Sequence, residues 1–102
     1  DSLLAIAEGY GDLEIFDFSD PDQPSLIAQR SYTGEGAKGV ELRGDNLYVA
    51  YGSRIDKLNV SDPAAPALIQ WISVGRLVFE LDKDADHLYA STAQGVAAIL
   101  NP

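Results

Sequence analysis

The stretch SDPDQPSLI at residues 19–27 returns as SDPAAPALI at residues 61–69, so the frame SDPxxPxLI recurs after 42 positions. Self-similarity at a fixed period is the signature of a repeat architecture, in which each unit buries its apolar surface against its neighbours. Helical repeats of this length would need long apolar stripes at i, i+3 and i+4, and the sequence has none. We therefore expect a repeat built from strands.

The segments around the frame also repeat. LEIFDF (residues 13–18) precedes the first copy and IDKLNV (residues 55–60) precedes the second, while DNLYVA (residues 45–50) matches DHLYAS (residues 86–91). Apolar residues alternate or form short bursts between Gly, Pro, Asp and Asn, which is typical of strands. The predicted strands lie near residues 2–7, 12–18, 25–32, 38–43, 46–52, 54–60, 67–74, 77–82, 87–92 and 95–100.

Four short strands in every ~40–45 residues are typical of a β-propeller blade. We predict an all-β fold of four-stranded antiparallel blades, with about two and a half blades in this chain. The repeat units are about 1–44, 45–85 and an incomplete 86–102.

The SDPxxP element has a structural explanation. Pro21 and Pro63 cannot donate to a strand ladder, and the Asp before each can bond the local backbone, so both predict a turn. Pro24 and Pro66 then lead into the next strand, which we expect at the outer edge of the blade, where a missing N–H matters least.

The run LEIFDFSDP at residues 13–21 resembles the LVIVD repeat, whose consensus is LVIVDVSDPxxP. The resemblance implies a propeller, found mainly in exported or surface proteins of bacteria and archaea, and it supplies no catalytic residue. Glu14, Asp56 and Lys57 depart from the apolar pattern. We expect them on a polar strand face.

Composition excludes several classes of function. Sixteen acidic against seven basic residues give a net charge of −9, which opposes binding to nucleic-acid phosphates. The absence of cysteine excludes disulfides, thiolate catalysis and zinc–cysteine sites. The sequence has no run of ~18 apolar residues, so it predicts no membrane-spanning helix. We expect neither a nucleic-acid partner nor membrane insertion.

A closed propeller needs ~4–8 blades, and each blade covers the faces of its neighbours. We therefore expect further blades as partners, from a longer chain or from homo-oligomerisation; a self-contained β-structure is the third alternative. The sequence stops at Asn101-Pro102, where another SDPxxP frame would form, which favours excision from something larger.

The acidic segment DKDAD at residues 82–86 offers a candidate metal site. The side chains of Asp82, Asp84 and Asp86 could converge on calcium if the loop bends around the ion, although calcium takes 6–8 oxygen ligands. A solvated acidic hairpin is the alternative interpretation. No other cofactor is expected.

Other candidate residues have plainer explanations. His87 stands alone and is interpreted as an exposed turn residue. The tripeptide RGD at residues 43–45 coincides with a predicted hairpin turn. Tyr48 and Tyr89 share a repeat position, so we interpret the tyrosines as packing residues, and we expect Trp71 at an interface or partly in the core.

These observations favour a non-catalytic interaction or scaffold module of a prokaryotic exported or surface protein. The alternatives are part of a propeller enzyme, or of a calcium- or carbohydrate-binding propeller whose site lies mostly outside this segment. An enzyme would carry non-repeating charges at the ends of the inner strands. Glu41 and Glu80 are aligned with one another, which favours a structural role and argues against catalysis.

Overall fold

A computed structural model of the chain describes residues 3–7, 11–32, 34 and 36–100. Its strands are β1 (Leu3–Ala7), β2 (Leu13–Asp17), β3 (Ser25–Arg30), β4 (Ala37–Arg43), β5 (Asn46–Tyr51), β6 (Arg54–Asn59), β7 (Ala67–Ser73), β8 (Val78–Lys83), β9 (His87–Thr92) and β10 (Gly95–Leu100). Each matches a strand predicted from the sequence, so the all-β prediction is confirmed. None of the described residues belongs to a helix that could span a membrane. Tyr10 and residues 1, 2, 101 and 102 lie outside the described residues.

The strands form three antiparallel sheets. Sheet A has the order β1-β2-β3, sheet B the order β4-β5-β6-β7, and sheet C the order β10-β9-β8. Sheet B is a complete four-stranded blade between two partial ones, which confirms the prediction of about two and a half blades. The repeat units and the sheets differ in the strand with which they begin. The units 45–85 and 86–102 begin with β5 and β9, whereas sheets B and C begin with β4 and β8, one strand earlier.

The SDPxxP elements form tight turns at the ends of β2 and β6. The carbonyl of Asp20 accepts the Gln23 N–H at 3.0 Å, and the Asp20 carboxylate accepts the Asp22 N–H at 3.1 Å. Asp62 makes the same two contacts, at 3.0 and 3.2 Å, with the residues three and two positions later. The strands that follow, β3 and β7, are edge strands, as the prolines predict.

Irregularities of the strands repeat with the sequence. Register shifts occur at equivalent positions of β2 and β6, between Ile15 and Phe16 and between Lys57 and Leu58. They recur at equivalent positions of β4 and β8, at Ala37/Gly39 and at Val78/Glu80. The β4–β5 hairpin closes through Gly44-Asp45, with Gly44 at φ 60°, a left-handed conformation that glycine adopts without strain. The repeat therefore fixes backbone geometry as well as residue type.

Two apolar cores hold the sheets together. The core between sheets A and B contains Leu13, Ile15, Tyr32, Ala37, Leu47, Val49, Leu58 and Val60. The core between sheets B and C contains Tyr48, Ala50, Ile55, Val78, Leu88 and Ala90. Sheet B is thus covered on both faces, because alternate residues of β5 enter different cores.

The inner edges of the sheets lie side by side, with β4 against both β1 and β8. A Cβ added at Gly39 of β4 would lie 3.3 Å from the Glu80 Cα of β8. This is tighter than ordinary van der Waals contact, so the absence of a side chain at Gly39 allows the two backbones to approach.

Candidate functional site

A buried carboxylate lies at the boundary between sheets A and B. Asp56 is fully buried, and the Tyr32 hydroxyl donates to its Oδ2 at 3.0 Å. Arg54 Nε lies 2.9 Å from Asp56 Oδ1, an ion pair whose angle departs from that of a hydrogen bond. The expectation that Asp56 occupies a polar face is wrong, because the side chain enters the interface and is neutralised there.

The guanidinium of Arg54 is held between aromatic rings. Its Cζ lies 5.1 Å from the ring centroid of Tyr51 and 5.3 Å from that of Trp71, distances typical of cation–π contacts. Trp71 remains 54% exposed, so it does not lie in the core, and its position at an interface stays a prediction. Its partner is the arginine that pairs with Asp56, which no periodicity in the sequence would reveal.

Tyr32 links the carboxylate to a second arginine. Arg30 Nε donates to the Tyr32 hydroxyl at 3.3 Å, and the Tyr32 ring packs edge-on against Tyr51 with centroids 4.8 Å apart. Burial and the negative charge of Asp56 raise the pKa of Tyr32 to about 12. The hydroxyl therefore stays protonated and donates to Asp56 at neutral pH.

The acidic hairpin between β8 and β9 is organised by one of its three aspartates. Asp84 accepts the N–H groups of Asp86 and His87, each at 2.8 Å, and the Tyr89 hydroxyl at 2.7 Å. These hydrogen bonds, that from Tyr89 foremost, hold the pKa of Asp84 below its usual range. The carboxylate of Asp82 instead accepts the N–H of Lys83 at 2.8 Å.

The described residues contain no group of three or more His, Cys, Asp or Glu side chains placed to hold a metal ion. Asp82, Asp84 and Asp86 are thus not brought together as ligands in this arrangement. Calcium binding by these residues stays a prediction. His87 is the first residue of β9 rather than a turn residue, and its ring stacks on Tyr89 with centroids 5.5 Å apart.

The RGD tripeptide joins two hairpins of sheets B and C. Arg43 Nη2 donates to the carbonyl of Ala85 at 2.7 Å, across the boundary between the sheets. Lys83 reaches back: its ammonium donates to the carbonyl of Leu42 and lies 3.6 Å from Glu41 Oε1. Arg43 and Lys83 therefore connect the β4–β5 and β8–β9 hairpins, and a structural role explains the tripeptide.

The face of sheet C turned away from sheet B, here called the open face, has a depression of about 320 Å³ lined by Glu80, Leu81, Asp82, Tyr89, Ser91 and Val96. Val96 is 72% exposed, the highest value among the large apolar side chains of the described residues. Further large apolar side chains are exposed on strands β3, β7 and β8 and just before β8, namely Leu26, Leu68, Ile69, Trp71, Leu77 and Phe79.

The registers correct one alignment made from the sequence. Glu41 pairs with Tyr48 and Asp82 pairs with Tyr89, so Asp82 is the counterpart of Glu41. Glu80 instead corresponds to Gly39, since the two bulges occur at the same place in β4 and β8. The alignment of Glu41 with Glu80 is therefore wrong, and Glu80 is a charge that does not repeat.

The comparisons with known proteins address the same repeat. A family model described as the LVIVD repeat matches residues 4–32 and 34–73, more than half of the chain. The chain belongs to the LVIVD repeat family. The matched segments coincide with sheets A and B, and the suspected resemblance is confirmed. No curated protein matches the sequence.

Proposed function

We propose that this LVIVD chain is a non-catalytic β-propeller module, which acts as an interaction or scaffold domain of a prokaryotic exported or surface protein. The observation that carries the proposal is the open face of sheet C. It presents Tyr89, Ser91 and Val96 at the positions where sheet B presents Tyr48, Ala50 and Ile55 to sheet C. The chain thus offers a neighbour the same positions by which its own blades associate.

The contacts of the reactive side chains support a non-catalytic role. Asp56 is neutralised by Arg54, Asp84 holds the β8–β9 turn, and Arg43 bonds the carbonyl of Ala85. Asp56 is thus engaged with a side chain and Asp84 and Arg43 with the backbone, whereas a catalytic acid or base needs access to a substrate. The proposed prokaryotic and exported origin rests on the family resemblance.

The proposed partners are further blades, from a longer chain or from a second copy, with a separate protein partner bound by the assembled surface. In repeat proteins each added unit contributes a new interface to stability. Covering the open face should therefore stabilise the chain.

The test is to append a second copy of residues 62–102 after Pro102, which continues the repeat in register because Pro102 corresponds to Ser61. We expect a higher unfolding temperature than that of the original chain, followed by circular dichroism. Light scattering of both chains shows whether a second copy already covers the face. A folded, monomeric original chain together with an unchanged unfolding temperature on extension would contradict the proposal.

Calorimetric titration with calcium chloride and with soluble oligosaccharides tests the alternative of a ligand-binding propeller. We expect no saturable heat from the original chain. A saturable response to calcium that is lost in Asp84→Asn would replace the scaffold proposal by the calcium alternative.

A further inference from the structure

The contact between sheets B and C shows how one blade of this chain receives the next. The face of sheet B toward sheet C carries Tyr48, Ala50 and Ile55, all fully buried beneath Val78 and the β9 strand. Sheet C carries Tyr89, Ser91 and Val96 at the same register positions of its open face. The open face is thus continuous with an interface that already exists once in the molecule.

An ion pair accompanies this packing at the inner edge. Lys83 of sheet C lies 3.6 Å from Glu41 of sheet B and also donates to the carbonyl of Leu42. The pair is half-exposed, so its contribution is modest, but it fixes which charges face each other across the boundary.

The open face repeats the acidic half of this arrangement and adds to it. Asp82 stands at the position of Glu41, and Glu80 stands at the position of Gly39. Within the described part of the chain neither carboxylate has an ion-pair partner. A neighbour that packed against these strands would therefore meet two negative charges where sheet C meets one. Its inner strand would lie farther from β8 than β8 lies from β4, because Glu80 carries a side chain where Gly39 has none.

We propose that the open face binds a further blade of the same repeat, and that this blade carries lysine or arginine at the position of Lys83. This inference rests on the proposed function and names the chemistry of its partner. The cation pairs with Asp82, as Lys83 pairs with Glu41, and Glu80 adds to its attraction. An uncharged or acidic residue at that position leaves two carboxylates facing the interface without compensation.

A second copy of this chain fits the open face less well. Head-to-tail association would place sheet A on the open face, and the described strands of sheet A include no counterpart of β8 and hence none of Lys83. With a net charge of −9, two copies also repel each other at low ionic strength.

The experiment uses the extended chain described above, in which the appended segment brings its own copy of Lys83. Because the chain has no cysteine, a Ser91→Cys variant carries a single thiol on the open face. We expect this thiol to react with a maleimide about tenfold more slowly in the extended chain than in the original one, since labelling then requires local opening. Ser25→Cys, on the exposed outer strand β3, is the matched control and should react equally in both.

Charge exchange tests the cation. Lys83→Glu in the appended copy alone should restore fast labelling. Adding Asp82→Lys in the original segment, on the open face, should slow the reaction again. Protection that is indifferent to these exchanges would overturn this inference and leave the proposed function standing. Absence of both protection and thermal stabilisation would overturn both. If protection of the Ser91→Cys thiol in the original chain rises with protein concentration, a second copy binds the open face, which would contradict this inference.

Discussion

The two boundaries between sheets use different chemistry on the same backbone. Between sheets A and B, Asp56 is buried against Tyr32 and Arg54. Between sheets B and C, Ala97 takes the place of Asp56, because Ala97 pairs with Ala90 as Asp56 pairs with Val49. Val74 takes the place of Tyr32, 42 positions earlier in the sequence. One boundary contains a buried ion pair, and the other is apolar at that place.

The difference shows that the repeat frame and the boundary chemistry are separable. The SDPxxP turns and bulges recur in register, whereas the side chains that face a neighbouring blade vary. A buried ion pair tolerates only a neighbour that completes it, while an apolar surface accepts many neighbours. We infer that the boundary between sheets A and B specifies its partner more strictly than the boundary between sheets B and C.

The largest effect is expected from removing the cation at the polar boundary. Arg54→Ala leaves the carboxylate of Asp56 buried without its ion pair, which costs about 3 kcal/mol, the low end of the range for buried pairs, because Arg54 is 34% exposed. Urea unfolding followed by circular dichroism measures the loss.

The control is the double variant Arg54→Ala with Asp56→Ala, which mimics the alanine of the apolar boundary. It should be more stable than Arg54→Ala alone, because no charge remains buried. If the two variants unfold at the same urea concentration, the ion pair does not distinguish the two boundaries.

The next effect tests the close approach at the boundary between sheets B and C. Gly39→Val places a branched side chain where a Cβ already meets the Glu80 Cα at 3.3 Å, and we expect a loss of about 2 kcal/mol from displacement of β8. Gly39→Ala should cost less, since the backbones need to separate by only a few tenths of an ångström. Equal stability of Gly39→Val and the original chain would show that this contact does not limit the packing.

Sequence reasoning predicted the strands and turns because these depend on local features. Proline and aspartate in SDPxxP determine the turns wherever they occur, and alternating apolar residues determine the strand faces. Both features repeat, so each copy supports the interpretation of the other. The edge positions of β3 and β7 followed from Pro24 and Pro66 in the same way.

The polar boundary could not be predicted, because its members come from distant segments and do not repeat. Tyr32 and Asp56 are 24 positions apart and have no polar counterparts in the following boundary. Glu80 was misaligned for a different reason, because the offset of 41 residues between DNLYVA and DHLYAS was not carried back along β4 and β8. The bulges fall at the same place in both strands, so this offset pairs Glu80 with Gly39 and Asp82 with Glu41, as the strand registers show.

A matched pair of tyrosines sharpens the comparison between a covered and an open face. Tyr48 is fully buried, and its hydroxyl has no hydrogen-bond partner among the described residues, whereas Tyr89 donates to Asp84. Tyr48→Phe should therefore raise stability by about 1 kcal/mol, since an unpaired buried hydroxyl is costly. Tyr89→Phe should slightly lower it and raise the pKa of Asp84 toward its ordinary value, as carbon-detected NMR would show. Destabilisation by Tyr48→Phe would indicate a partner for this hydroxyl.

The last effect is confined to alkaline solution and concerns the polar boundary. The folded state raises the pKa of Tyr32 from 10.0 to about 12, mainly through burial and secondly through the charge of Asp56. The unfolded chain therefore loses this proton first, so the associated stability is fully present below pH 10 and is lost as the pH rises from about 10 to about 12. Urea midpoints at pH 8, 10 and 11 measure the loss, and Tyr32→Phe is the control because it lacks the ionisable group. If the original chain and Tyr32→Phe lose stability in parallel over this interval, the tyrosine does not couple the boundary to pH.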